Sequence, residues 1–425
     1  MLHAQGALRH LLRHRAFTWY LLAKFLAAVA VQMLHVAVGW QVYRLTRDPL
    51  DLGLIGLSQF LPFIVMVLPA GQLADRINRK LIMFVCFSIE WLAAVALLMM
   101  AWNGITTVAP VMVAMVLLGL ARAFVSPAQQ ALLPNLVPRD FFAQAIALNS
   151  STWQLATISG PALGGLLYLA GERVVYAASV GLLLVSVVLI TRLRAPPMPV
   201  IARGEPRWQA LLAGLHFVRQ RPLVLGALSL DLFAVMFGGA TALLPAIASD
   251  VLHVGPAGLG LLRAAPGVGA ALVALRLASR PPVRHCGRWV FFGVGTFGLA
   301  TVVFGLSSSF LLSLGALFCM GGADMLSVYV RQLLVQLETP DALRGRVSAV
   351  NAMFIGASNE FGEFESGVTA SWWGVVPAIV VGGVATLGVT ALWTRWFSGL
   401  YRLDRMPERA RDPVAHPLVE PSAEP

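Results

Sequence analysis

Twelve apolar windows of about 20 residues follow one another along this chain, and that succession restricts the fold more than any other feature of its sequence. They lie near 17–43, 52–74, 80–102, 107–127, 142–170, 173–194, 222–248, 257–279, 287–307, 310–331, 344–371 and 374–397. A run of this length matches the hydrocarbon thickness of a bilayer, where every backbone N–H and C=O must be satisfied within the segment. Helices meet that demand, so the expectation is an all-α integral membrane protein. Composition agrees, because charged residues make up only 12% of the 425, about half of what a soluble chain carries. The start, basic and then apolar for more than 20 residues without a small-residue cleavage site, reads as an uncleaved first span.

The connections are short except near 195–221, which begins Pro-rich and continues as "PRWQALLAGLHFVRQR", an amphipathic helix suited to a membrane surface. If the N-terminus is inside, inner segments hold about 25 of the 31 basic residues, while the outer loops hold Arg44, Arg47 and Arg173. That asymmetry accounts for the basic pI of about 10.5 without a nucleic-acid partner. The three cysteines are far apart and give neither a disulfide framework nor a metal spacing. No Ser-His-Asp spacing, metal cluster or phosphate-cradling glycine loop is present, so neither an enzyme nor an ATP-driven pump is expected, and no cofactor.

The chain repeats itself. At an offset of 202, Pro138, Asn149, Gly160 and Gly165 fall on Pro340, Asn351, Gly362 and Gly367. At 204, Gly56, Pro62 and Arg76 fall on Gly260, Pro266 and Arg280. Two pseudo-symmetric six-helix bundles around a central cavity follow: 1–194 as the N-terminal bundle, 195–221 as a linker, 222–398 as the C-terminal bundle and 399–425 as a disordered tail. Such repeats place a solute site at their interface.

The repeat isolates one segment. "GPALGG" (160–165) in the first half is matched by "GEFESG" (362–367) in the second, so Glu363 and Glu365 stand where the sister helix has Pro161 and Leu163. With Glu360, three carboxylates lie in an apolar helix where each is costly, and such residues mark function. At 100° per residue Glu360 and Glu363 share a face and Glu365 points away. "SWW" (371–373) marks the outer interface, which makes Glu360 the deepest of the three and the first candidate for trading a proton. Arg263 in span eight would neutralise one of the others.

Further charges lie within spans: Lys24, Arg122, Asp231 and Asp324. Because Arg122 and Asp324 correspond at the 202 offset, an inner gate is expected with Arg122 paired to Asp324 and Lys24 near Asp231; pairing within each half is the alternative. His35 and Gln32 on span one are candidates for the cavity wall, and an imidazole would suit proton handling. Asp75, with Arg76, Arg79 and the Arg346 region at the start of span eleven, would form an inner-face latch. In "GPALGG", Gly160, Pro161, Gly164 and Gly165 combine a lost helix hydrogen bond with close helix approach.

"GQLADRINRK" (71–80) resembles the signature between spans two and three of the major facilitator superfamily, departing at Asn78, where glycine is usual. "GPALGG" resembles the end of that superfamily's fifth-span antiporter signature, with Ala147 and Ala156 in place of the upstream glycines. Phrases such as "HVAVGWQVYRLT", "PAQQALLPNLVP" and "RGRVSAVNAMFIGASNEFGEFESG" are most similar to its enterobactin-exporter and macrolide-efflux branch. The resemblance implies a secondary active transporter in a bacterial inner (plasma) membrane, with both termini cytoplasmic. It implies a monomer whose partners are small-molecule cargo, protons and the bilayer, with no ATP. The expected activity is export of an amphipathic drug-like compound or siderophore by proton antiport. An importer of a small polar or anionic solute and a non-transporting sensor or assembly factor are the alternatives.

Overall fold

In a computed structural model, residues 14–104, 106–138, 141–193, 207–280, 284–340 and 343–406 are described. Helix dominates, and no strand occurs among these residues. The first half contains α1 (Arg15–Thr46), α2 (Pro49–Arg76), α3 (Arg79–Asn103), α4 (Ala109–Leu132), α5 (Phe142–Leu167) and α6 (Glu172–Arg192). A short helix, α7 (Arg207–Gln220), precedes the second half. That half contains α8 (Pro222–Phe237), α9 (Pro256–Ser279), α10 (Cys286–Leu306), α11 (Phe310–Glu338), α12 (Arg344–Trp373) and α13 (Val375–Trp396). Ten of the twelve long segments are apolar enough to cross a membrane. The exceptions are α5, rich in Ser, Thr, Asn and Gln, and α12, which carries the three glutamates.

The helix ends follow from local chemistry. Asp48 accepts a hydrogen bond from Leu50 N at 2.9 Å and so caps α2, whose first residue is proline. Asn78 does the same for α3 through Lys80 N at 3.0 Å. Its φ is −55°, so the departure from glycine at that position serves a cap and not a left-handed turn. The seventh span, expected to be continuous over 222–248, instead breaks after Phe237. It resumes as 3₁₀ turn, one α turn and a π turn over Ile247–Val251. Gly239 sits at that break, where a Cβ would come within 2.4 Å of Gly362 O on α12.

Within the first half α1 packs on α5 and α6, and α4 on α2 and α3; within the second half α11 packs on α9 and α10, and α13 on α8 and α10. The halves meet along two crossings, α2 with α12 and α5 with α9. Both crossings place glycine against glycine: a Cβ on Gly165 would lie 2.8 Å from the Gly260 Cα, and one on Gly53 would lie 3.1 Å from the Gly367 Cα. Without side chains there, the backbones approach closely enough for dispersion to hold two apolar helices together in lipid.

These crossings occupy the end of the bundle at which α1 finishes. The other end, where α1 begins, carries Arg79, Lys80, Arg192, Arg219, Arg221, Arg280, Arg284, Arg344 and Arg346, and is called the basic end below. At the basic end, α7 lies against the start of α12, with a Gly214 Cβ position 2.7 Å from the Arg346 carbonyl oxygen. The Pro-rich part of the linker and residues 407–425 fall outside the described residues. The start of the tail, expected to be disordered from 399, is instead ordered: a helical turn at Ser398–Tyr401 leads to Leu403 and Asp404, whose carbonyls accept from Gly287 N at 2.9 Å and Cys286 N at 3.1 Å.

Candidate functional site

The α2–α12 crossing leaves a cavity of about 150 Å³ between the halves. It is lined by His35 of α1, Gly56 and Gln59 of α2, Arg122 of α4, Pro245 of the broken seventh span, Arg263 of α9, and Glu360 and Glu363 of α12. Glu360 and Glu363 are three residues apart, one face of a helix, and that face looks at α2. Gly56 makes room for it, since a Cβ there would stand 2.8 Å from Glu363 Oε2. Glu365 is not part of the lining.

The four charged groups divide into two sets. Arg122 Nη1 donates to Glu360 Oε1 at 2.9 Å, an ion pair joining the two halves through residues 238 positions apart. The Arg122 guanidinium also lies over the Phe63 ring, 5.3 Å from its centroid. The Arg122 side chain is half exposed, while that of Glu360 retains 12% exposure. Arg263 and Glu363 share the same cavity but form no hydrogen bond or ion pair, with each other or with anything else among the described residues.

His35 is held on both sides. Gln59 Nε2 lies 2.9 Å from His35 Nε2, and Gln32 Oε1 lies 3.2 Å from His35 Nδ1. With Gln59 donating, His35 accepts at Nε2 and donates from Nδ1, a neutral imidazole with both nitrogens satisfied. Gln59 Nε2 also contacts Met115 Sδ at 3.1 Å, which fixes its amide.

The expected inner-gate pairs are corrected. Arg122 does not meet Asp324; it reaches Glu360. Asp324 lies instead inside the second half, in electrostatic reach of Asp231 and Arg331. Asp231 forms a tight ion pair with Arg331, whose side chain is 2% exposed, and does not approach Lys24. Lys24 Nζ donates to Asn149 Oδ1 at 2.6 Å within the first half. The reason is helix length: α11 runs on to Glu338, so Arg331 lies inside the bundle and supplies a same-half partner.

The expected inner-face latch is corrected in part. The side chains of Asp75 and Arg76 lie outside the described residues. Arg79 Nη1 donates to Ala131 O at 2.8 Å, and Arg79 Nε to Ala74 O at 3.4 Å, so it closes carbonyls of its own half and does not reach α12. Arg346 stands in the first turn of α12, next to α7. The fifth-span glycines serve two surfaces: Gly160 and Gly164 press α5 onto Gln32 and Met33 of α1, while Pro161 and Gly165 meet Gly260 across the seam.

A second link between the halves lies at the end away from the basic one. Arg47 Nη1 donates to Asp250 Oδ1 at 2.8 Å and to Ser249 Oγ at 3.0 Å, and Tyr43 OH donates to Asp250 Oδ2 at 2.5 Å. Asp250 is presented by the π turn, so the break in the seventh span positions this contact. Reading the sequence missed Gln59, Arg331 and the Arg47–Asp250 contact. A glutamine one turn from Gly56 on the same face of α2 was the available signal for Gln59.

The family described as transmembrane secretion effector matches residues 9–424. The enterobactin exporter EntS of Citrobacter koseri is 30% identical over 346 residues, which cover 79% of this chain and 81% of that protein. EntS of Escherichia coli O157:H7 shows the same identity and coverage. Among solved structures, a bacterial homologue of the human lysosomal transporter Spinster, inward-facing and unoccupied, superposes with a TM-score of 0.70. It is 13% identical and covers 92% of this chain and 96% of its own. A bacterial homologue of the iron transporter ferroportin in its inward-facing state also gives 0.70, at 14% identity, covering 91% and 98%. At such identities these structures speak to fold.

Proposed function

The chain belongs to the transmembrane secretion effector family of the major facilitator superfamily, multi-pass membrane transporters of small molecules, and on that premise we propose that it exports amphipathic organic compounds by proton antiport. The observation that carries this reading is the Arg122–Glu360 pair, which joins the two halves across the cavity. A link of this kind exists only while Glu360 is ionised. Protonation turns the carboxylate into a neutral acid, cancels the charge-assisted hydrogen bond and loosens the seam. A hydrogen bond to a charged group contributes about 1.5–3 kcal/mol, and the half-exposed Arg122 reduces it. A remainder of about 1–2 kcal/mol shifts a two-state population roughly 5- to 30-fold, enough to couple proton occupancy to which side the cavity faces.

The family's enterobactin exporters support outward movement of an amphipathic organic solute. The basic end faces the cytoplasm by the positive-inside rule, in a bacterial inner membrane with both termini inside. In this conformation the contacts between halves at Gly53–Gly367, Gly165–Gly260 and Arg47–Asp250 seal the outer side. Protons arriving from outside and cargo arriving from inside would load Glu360 and the cavity alternately. The protein works as a monomer, because each half supplies its own share of the cavity walls.

Everted membrane vesicles carrying the chain test this with Nε-dansyl-lysine as a fluorescent amphiphile. Uptake that follows an imposed proton gradient, collapses with a protonophore and disappears in Glu360→Gln is expected. Unchanged gradient-driven uptake in Glu360→Gln refutes the role of Glu360, and gradient-driven movement in the opposite direction identifies an importer.

A further inference from the structure

Arg122 and Glu360 satisfy one another, whereas Arg263 and Glu363 share the cavity without a hydrogen bond or ion pair between them. A guanidinium and a carboxylate that line one cavity in a protein interior normally join, because each left alone bears a desolvation cost. They reach the cavity from different helices: Glu363 is set against Gly56 on α2, while Arg263 is carried by α9, which packs on α5 through the Gly165–Gly260 contact. The cavity therefore presents a donor fork and an acceptor pair that face one solute from two helices of the same half.

We propose that Arg263 and Glu363 form a head-group site for cargo bearing a hydrogen-bond donor and an acceptor side by side. The class is a zwitterionic or dipolar head, not a lone ammonium or a lone carboxylate. Arg263 offers only donors and an ionised Glu363 only acceptors, so a matched head satisfies both at once. A head with one charge satisfies one group and leaves the other partly buried, screened from water by the cargo and unpaired, which is how polar sites reject near-isosteres. Size agrees. A cavity of about 150 Å³ is the size of one that holds a benzene molecule, so it takes a head group while the apolar body of the cargo lies outside it. The other charged or titratable groups around it are already engaged, Arg122 with Glu360 and His35 with Gln59 and Gln32.

This inference rests on the transport reading only for the word cargo, and the test needs no gradient. Three fluorescent probes share one dansyl body: Nε-dansyl-lysine is zwitterionic, dansylcadaverine keeps only the ammonium, and dansyl-6-aminohexanoate keeps only the carboxylate. Each is titrated against the purified full chain in detergent. Nε-dansyl-lysine is expected to bind at least tenfold tighter than either single-charge probe. Arg263→Gln should erase its advantage over dansylcadaverine by weakening Nε-dansyl-lysine and tightening dansylcadaverine, because the cation that the ammonium probe leaves unpaired is gone; the tighter binding also reports a folded protein. Glu363→Gln should erase its advantage over the carboxylate probe and tighten that probe. Arg263→Lys, which keeps the charge but loses the fork, should fall between. A single-charge probe that matches Nε-dansyl-lysine in the wild type overturns the proposal. So does equal loss of all three probes in either variant, or no binding of Nε-dansyl-lysine. If the probe preference holds but vesicle efflux does not respond to a proton gradient, the antiport reading fails and the head-group site stands.

Discussion

Cutting the Asp231–Arg331 pair should be the most destabilising single change in the second half. Arg331 is the largest fully buried side chain among the described residues, and its pair with Asp231 has exposures of 2% and 9%. Removing one partner of a buried ion pair leaves an uncompensated charge and costs about 3–5 kcal/mol, or roughly 10²- to 10⁴-fold in the folding equilibrium. The two directions are not equal here. Asp231→Asn leaves Arg331 with Asp324 in reach, so its cost should sit at the low end. Arg331→Met leaves two acids facing one another without a cation and should sit at the high end. The double variant Asp231→Leu/Arg331→Met removes both charges and should recover most of the loss, giving a coupling of at least about 2 kcal/mol. Unfolding equilibria in mixed dodecyl maltoside–SDS micelles for the wild type, both singles and the double measure this cycle. Single costs below about 1 kcal/mol that simply add would refute the reasoning.

Three other outcomes follow from the geometry. Asp250→Asn weakens the contacts from Arg47 and Tyr43, and because the Arg47–Asp250 pair is largely exposed the effect should be about 1 kcal/mol, a roughly fivefold gain in accessibility of the cavity from the end away from the basic one, measured by cysteine labelling at Ile55. Gly165→Val places a side chain against the Pro256 carbonyl oxygen and Gly260 Cα at 2.4 and 2.8 Å from its Cβ position. Overpacking of about 1–3 kcal/mol should spread the seam at the end away from the basic one and lower transport, while Gly181→Val, with open space at its Cβ, should be neutral in the same assay. Exchanging charges in Arg122→Glu/Glu360→Arg should restore the inter-half link that either single change breaks, read as recovered thermal stability of the purified protein.

The apolar windows, the two-fold repeat and the uneven distribution of basic residues made the helical membrane architecture legible, because a bilayer leaves the backbone few choices. Two glutamates of α12 on one face were legible for the same reason that helices have a fixed period, and both line the cavity. What failed were the pairings. The 202 offset brings Arg122 and Asp324 into register, but register between repeats relates equivalent positions and does not bring them into contact. Partners depend on how far each helix extends, and Arg331 was hidden because its window appeared to end where α11 continues. The broken seventh span was hidden as well: Gly238 and Gly239 read as ordinary small residues of an apolar run, although α12 presses its Gly362 carbonyl against one of them.

The most direct test of the coupling claim is the distance between the halves as a function of pH. Spin labels at Asn103 of α3 and Ser308 between α10 and α11 report on the end of each half away from the basic one, in a chain whose three native cysteines are replaced. If the Arg122–Glu360 pair transmits protonation to the seam, lowering the pH from 8 to 5.5 should populate a longer distance. Glu360→Gln should show that longer population at both pH values. A distance distribution that moves with pH equally in the wild type and in Glu360→Gln, or that does not move in either, would contradict it.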